Sequence, residues 1–90
     1  MKVADEIREF AYKEYIKPAR EHSQTQITIS AGDVHDKMGL KNRMPAVTGA
    51  LGKKIFERQY EVELTDRKGV TNGPNVFFTF LLTKKQEDLS

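Results

Sequence analysis

Residues 30–51, SAGDVHDKMGLKNRMPAVTGAL, constrain the fold more than any other part of the chain. The run holds two short helical patterns separated by a tight turn. Ser30 followed by Asp33 is a capping pattern: the hydroxyl can accept from a free backbone N–H, and an acid in the first turn complements the helix dipole. Val34 and Met38 are four apart and point to a core. Gly39 takes the place after the helix, where positive φ is wanted, and Leu40 turns inward. Lys41, Asn42 and Arg43 form the turn, with Asn42 the best N-cap for the second helix. Pro45 fits a first helical turn, where its missing N–H has no partner to lose. Met44, Val47, Ala50 and Leu51 make the buried face, with Ile55 as a further candidate. Gly49 and Gly52 weaken this helix by roughly 1 kcal/mol each relative to alanine, so something must favour small residues there.

Upstream, residues 2–22 read as a helix. Val3, Ala4, Ile7, Phe10, Ala11 and Tyr15 share one side at helical spacing. Tyr12, Ile16 and Ala19 form a second apolar strip, so the helix is expected to pack on two sides. Pro18 cannot donate to the ladder and clashes with the preceding turn, which predicts a kink or break near Lys17. A polar loop leads to a short β-branched alternation at residues 26–29. Downstream, Tyr60, Val62 and Leu64 alternate with Glu61, Glu63 and Thr65, the pattern of a half-buried strand. Residues 66–74, DRKGVTNGP, are rich in turn formers. Residues 76–82 form the second arm of a hairpin, apolar on both faces, so that one face needs a cover.

Ninety residues suit one small domain with a modest core. No apolar run approaches the roughly 20 residues of a membrane span. The opening MKVADEIREF carries acids where a signal peptide is apolar, and there is no cysteine for a disulfide or a thiolate zinc site. A cytoplasmic protein is expected. The net charge is only +2, but it is unevenly spread. Residues 1–30 balance, whereas residues 37–58 hold six basic side chains against one acid, Glu57. A local basic patch suits a phosphate backbone; a solvated helix face explains it equally well.

The order is helix, strand, helix, turn, helix, strand, loop, strand. With ISAGDVHDKMGLKN and its Met38-Gly39-Leu40 ending, PAVTGAL and the hairpin, it resembles the winged-helix subclass of helix-turn-helix domains over about residues 2–83. The AGDVH, GLKNRMPAV and AL runs are similar to those of small prokaryotic proteins. The resemblance implies an α+β fold with three helices and a small three-stranded antiparallel sheet. Residues 1–83 would be the domain and 84–90 a charged tail. It also implies a DNA-binding protein of the kind that serves in transcription regulation. The third helix would enter the major groove and the wing would reach the backbone of double-stranded DNA. The turn is about two residues longer than in the simplest helix-turn-helix, which leaves the start of that helix open by as much.

Carried onto this chain, the helix entry is Lys41, Asn42 and Arg43. Arginine can pair bidentately with guanine, and asparagine with adenine. Thr48, one turn on, is placed to reach a base or phosphate, and Lys53 and Lys54 to meet phosphate. Ala46, Gly49, Gly52 and Lys53 recur on a face away from Val47 and Leu51, where small residues admit either a groove wall or a neighbouring helix. The wing contributes Arg67, Lys68 and Asn72. Glu61, Glu63 and Asp66 argue against it, because acids repel phosphate unless they point away. The alternative is a protein-interaction module on the same scaffold, since fold does not fix function. A homodimer through Tyr12, Ile16, Phe77 and Leu81 suits either reading.

His35 between Asp33 and Asp36 invites a metal reading. Adjacent side chains on a helix diverge, however, so a structural histidine between the two helices is favoured. No Gly-rich phosphate loop, nucleophile–base pair or apolar carboxylate pair is evident. The sequence therefore predicts no enzyme, cofactor, metal or small-molecule substrate.

Overall fold

A computed structural model describes residues 3–69 and 75–82. In chain order the elements are α1 (Val3–Ala11), a π-helical stretch (Tyr12–Ile16), α2 (Lys17–Glu21), β1 (Gln26–Ser30), α3 (Ala31–Lys37), α4 (Met44–Leu51), α5 (Lys54–Tyr60), β2 (Glu63–Lys68) and β3 (Phe77–Leu81). The fold is α+β, with four helical units and one three-stranded antiparallel sheet of order β1-β3-β2. Asn72 and the tail at 84–90 lie outside the described residues.

α1, the π turn and α2 run on as one helix, with right-handed helical backbone at Ala11, Ile16 and Lys17. The kink or break expected near Lys17 is replaced by a wider turn at Tyr12–Ile16. The Lys17 N–H bonds to the Tyr12 carbonyl, five residues back. This turn lies directly before Pro18 and loosens the helix where the proline ring would crowd the preceding turn. It also merges the two expected apolar strips. From Ala11 to Ile16 is a five-residue step, which in a regular α-helix would swing the side chain roughly 140° around the axis. The wider turn keeps both on the core side: Ile7, Ala11, Ile16 and Ala19 are all buried.

The core lies between this long helix, α3, α4, α5 and one face of the sheet. Central strand β3 alternates with its buried Val76, Phe78, Phe80 and Leu82 toward the helices. The Phe56 ring of α5 meets Phe80 edge-on at 5.2 Å between centroids. The opposite face of β3 carries Phe77, 40% exposed, with Thr79 and Leu81 half-buried. The proposed strip of Tyr12, Ile16, Phe77 and Leu81 is therefore not a single surface. Ile16 is fully buried, Tyr12 stacks on Tyr60 at 4.5 Å, and Phe77 and Leu81 lie on the far side of the sheet.

The helix expected to continue toward Ile55 ends at Leu51. Gly52 closes α4, Lys53 is extended (φ −87°, ψ 147°), and a separate α5 begins. Ile55 is consequently 51% exposed, and Phe56 takes the core position. Tyr60 ends α5 instead of opening a strand. Glu61 then adopts a left-handed conformation, and β2 starts at Glu63. Arg20 of α2 fixes this corner by donating to the carbonyls of Tyr60 (2.8 Å) and Glu61 (2.7 Å). Arg8, 6% exposed, ties α1 to α4 by donating to the Ala50 carbonyl at 3.3 Å while pairing with Asp5 at 2.9 Å.

Candidate nucleic-acid interface

The turn between α3 and α4 is built as its sequence suggests, with one exchange of roles. The Ser30 hydroxyl accepts from the Asp33 N–H at 3.2 Å. Gly39 has φ +70°, and the N–H groups of Gly39 and Leu40 close α3 onto the Asp36 and His35 carbonyls. Asn42, expected as the N-cap, instead sits in the left-handed region at φ +55°, which asparagine tolerates better than most residues. Arg43 takes the N-cap position without a side-chain cap bond. Its own N–H donates to Nε2 of His35 at 3.1 Å. His35 thus joins α3 to the start of α4, the structural role favoured for it. Among the described residues, no group of three or more His, Asp and Glu side chains could hold a metal ion.

Lys41, Asn42 and Arg43 are all exposed. Thr48 is not: at 3% exposure it faces inward, and its hydroxyl donates to the Met44 and Pro45 carbonyls. The expectation that Thr48 reaches outward is not met. What α4 offers to solvent is Pro45 and Gly49, flanked by half-buried Ala46 and Gly52. That face is nearly featureless. A methyl group at Gly49 would meet nothing within 4 Å, so intramolecular packing gives no reason for glycine there. At Gly52 an added Cβ would meet the Thr48 carbonyl at 3.1 Å and lie 3.8 Å from the Arg67 guanidinium.

That last contact ties the hairpin to the helices. β2 and β3 pair regularly from Lys68↔Phe77 through Arg67↔Phe78 to Asp66↔Thr79; Leu64 then pairs with Phe80, leaving Thr65 as an extra residue. The bulge reverses which face each later side chain takes. Unbroken alternation would put Asp66 on the same face as Leu64, toward the helices. With the bulge, Asp66 goes to the outer face with Glu63 and Lys68, and Arg67 comes to the helix side. There its guanidinium lies 5.1 Å from the Phe78 ring centroid, beside Gly52. Asp66 pairs with Lys68 at 3.9 Å on the far face.

Arg67 from β2 is thus brought beside Gly52 at the α4–α5 corner, where exposed Lys53 and Lys54 follow in the chain. Glu57, the one acid of the basic segment, is occupied internally: its carboxylate accepts from the Leu64 N–H at 3.2 Å. Lys37 is also engaged, 5.2 Å from the Tyr15 ring centroid. Among the described residues, Lys41, Arg43, Lys53 and Lys54 form no ion pair. The basic surface therefore has two parts, one at each end of α4. They are separated by about 12 Å for its eight residues.

Arg8, Arg20 and the Thr65 bulge escaped the sequence reading. The two arginine contacts span 40 residues or more and leave no local pattern. No protein-family model matches the chain, and no similar curated protein or solved structure was found.

Proposed function

We propose that the chain is a winged-helix-type DNA-binding protein that lays the small-residue face of α4 against duplex DNA. The observation that carries this reading is the placement of Arg67 beside Gly52, the residue before exposed Lys53 and Lys54, at one end of α4, with exposed Lys41 and Arg43 at the other. The roughly 12 Å between the two ends is comparable to the roughly 12 Å width of the B-DNA major groove. Cations at both ends would then face the two phosphate walls. Of the three acids that form the chief objection to this reading, Glu63 and Asp66 lie on the other side of the sheet, and Glu61 sits outside the strand at the end of α5. The bare surface of Pro45, Ala46 and Gly49 permits close approach of the backbone but carries no donor to read a base edge. Binding is therefore dominated by phosphate and shape, with base reading left to Asn42 and Arg43.

NMR titration of the full chain with random duplex at low salt tests this. Shifts should concentrate at 41–43, 49, 52–54 and 67. Arg43→Ala should change the ranking of duplex sequences, whereas Lys53→Ala should weaken all of them alike. Absence of any shift at low salt would remove the DNA reading. The exposed side chains of Ile55 and Phe77 would then be the places to seek a protein partner.

A further inference from the structure

We propose that His35 is a positioning residue for the reading turn and acts only as the neutral imidazole, so that a proton on it releases the turn and weakens DNA binding. The binding consequence rests on the DNA reading above; the positioning role does not.

The argument starts from one bond. Nε2 of His35 accepts the backbone N–H of Arg43 at 3.1 Å. A ring nitrogen that accepts carries no proton, so Nδ1 bears the hydrogen. Nδ1 faces the Asp36 carboxylate at 3.7 Å, and the histidine side chain is 14% exposed. Protonating Nε2 would set N–H against N–H and abolish the bond. The turn has little else to hold it. Asn42 is left-handed, Arg43 has no side-chain cap bond, and the Arg43 carbonyl must still receive the Val47 N–H that starts α4.

The charged groups around His35 are few: Asp33 and Asp36 share with it an open recess of about 580 Å³. Lys37 on α3 and Lys41 and Arg43 in the turn are the nearby cations in the chain. The other residues lining the recess, from Ser30 to Phe77, carry no charge.

The sign of the effect is diagnostic. A histidine merely lying near phosphate gains positive charge in acid and binds DNA more tightly. Here acid should loosen binding. The second histidine supplies an internal contrast. Nδ1 of His22 donates to the Pro18 carbonyl at 2.8 Å, a bond that survives in both charge states.

The test follows three quantities on the full chain from about pH 8 to about pH 5, the range in which histidine changes charge. They are the His35 ring resonances, hydrogen-exchange protection of the Arg43 amide, and affinity for random duplex at fixed ionic strength. As His35 titrates, Arg43 protection and affinity should each fall about three- to tenfold, the net worth of one hydrogen bond. The buried amides of Val34 and Leu51 should stay protected. His35→Gln keeps a side-chain acceptor without a titration, so it should hold affinity and protection flat. His35→Ala should show the acid behaviour at every pH. An Arg43 amide that stays unmoved while the His35 ring titrates would overturn the proposal. Affinity that rises in acid for the wild type but not for His35→Gln would overturn it too. If the duplex is bound at no pH, the DNA reading falls, and the amide measurement alone decides the positioning role.

Discussion

Phe80→Ala is expected to cost about 3–5 kcal/mol, the usual range for removing a fully buried phenylalanine. Phe80 is fully buried on the central strand, edge-on to Phe56 and within 6.3 Å of the Phe78 ring. A small domain has only about 5–15 kcal/mol in total, so the variant should lose a large share of its folding stability. The sheet supplies its own control: Phe77, three residues earlier and 40% exposed, faces away from the helices. Phe77→Ala should cost less than about 1 kcal/mol, as surface changes do. Urea unfolding of both variants decides the matter. A larger loss for Phe77→Ala than for Phe80→Ala would mean that the face assignment of β3 is reversed.

The second large effect concerns the basic corner. Each phosphate contact on B-DNA contributes about 0.9 to the slope of log affinity against log salt. Replacing Lys53, Lys54 and Arg67 together by alanine should therefore flatten that slope by about 2.7. Between 50 and 200 mM salt this corresponds to roughly a 40-fold smaller loss of affinity than the wild type suffers. All three side chains are exposed, and Arg67 alone makes an internal contact, over Phe78. Lys53→Ala and Lys54→Ala should leave the urea midpoint nearly unchanged, and Arg67→Ala should lower it slightly. Fluorescence anisotropy with a labelled random duplex gives the slope. A slope unaltered in the triple variant would place the phosphate contacts elsewhere.

The sequence was most legible where a residue answers a local need. Ser30 caps α3, Gly39 ends it at positive φ, and Val47, Ala50 and Leu51 form the inner face of α4. Each of these follows from groups a few residues apart. Legibility failed where the chain gains one residue against its own period. Counting apolar positions around Pro18 yields two strips, because the count presumes an unbroken α-helical step. Composition along 66–74 gives Asp66 and Arg67 to the turn, whereas β2 runs on to Lys68 and the Thr65 bulge sets the face each of them takes. The exposed basic residues at 41, 43, 53 and 54 were readable as a patch. That Arg67 joins them, and that Thr48 leaves them, follows from pairings across the molecule that no local window contains.

The widened turn before Pro18 makes chain length and composition interdependent. Removing exposed Glu14 would shorten the Ala11-to-Ile16 interval to the four-residue step of a regular α-helix and leave the buried side chains in phase. Alone, that deletion would lodge the proline in an ordinary helix interior, at a cost of about 3 kcal/mol. Combined with Pro18→Ala, the penalty disappears. A missing residue and a substituted one would thus compensate each other. Two proteins of this fold could differ in length in the middle of their first helix and still share every core contact.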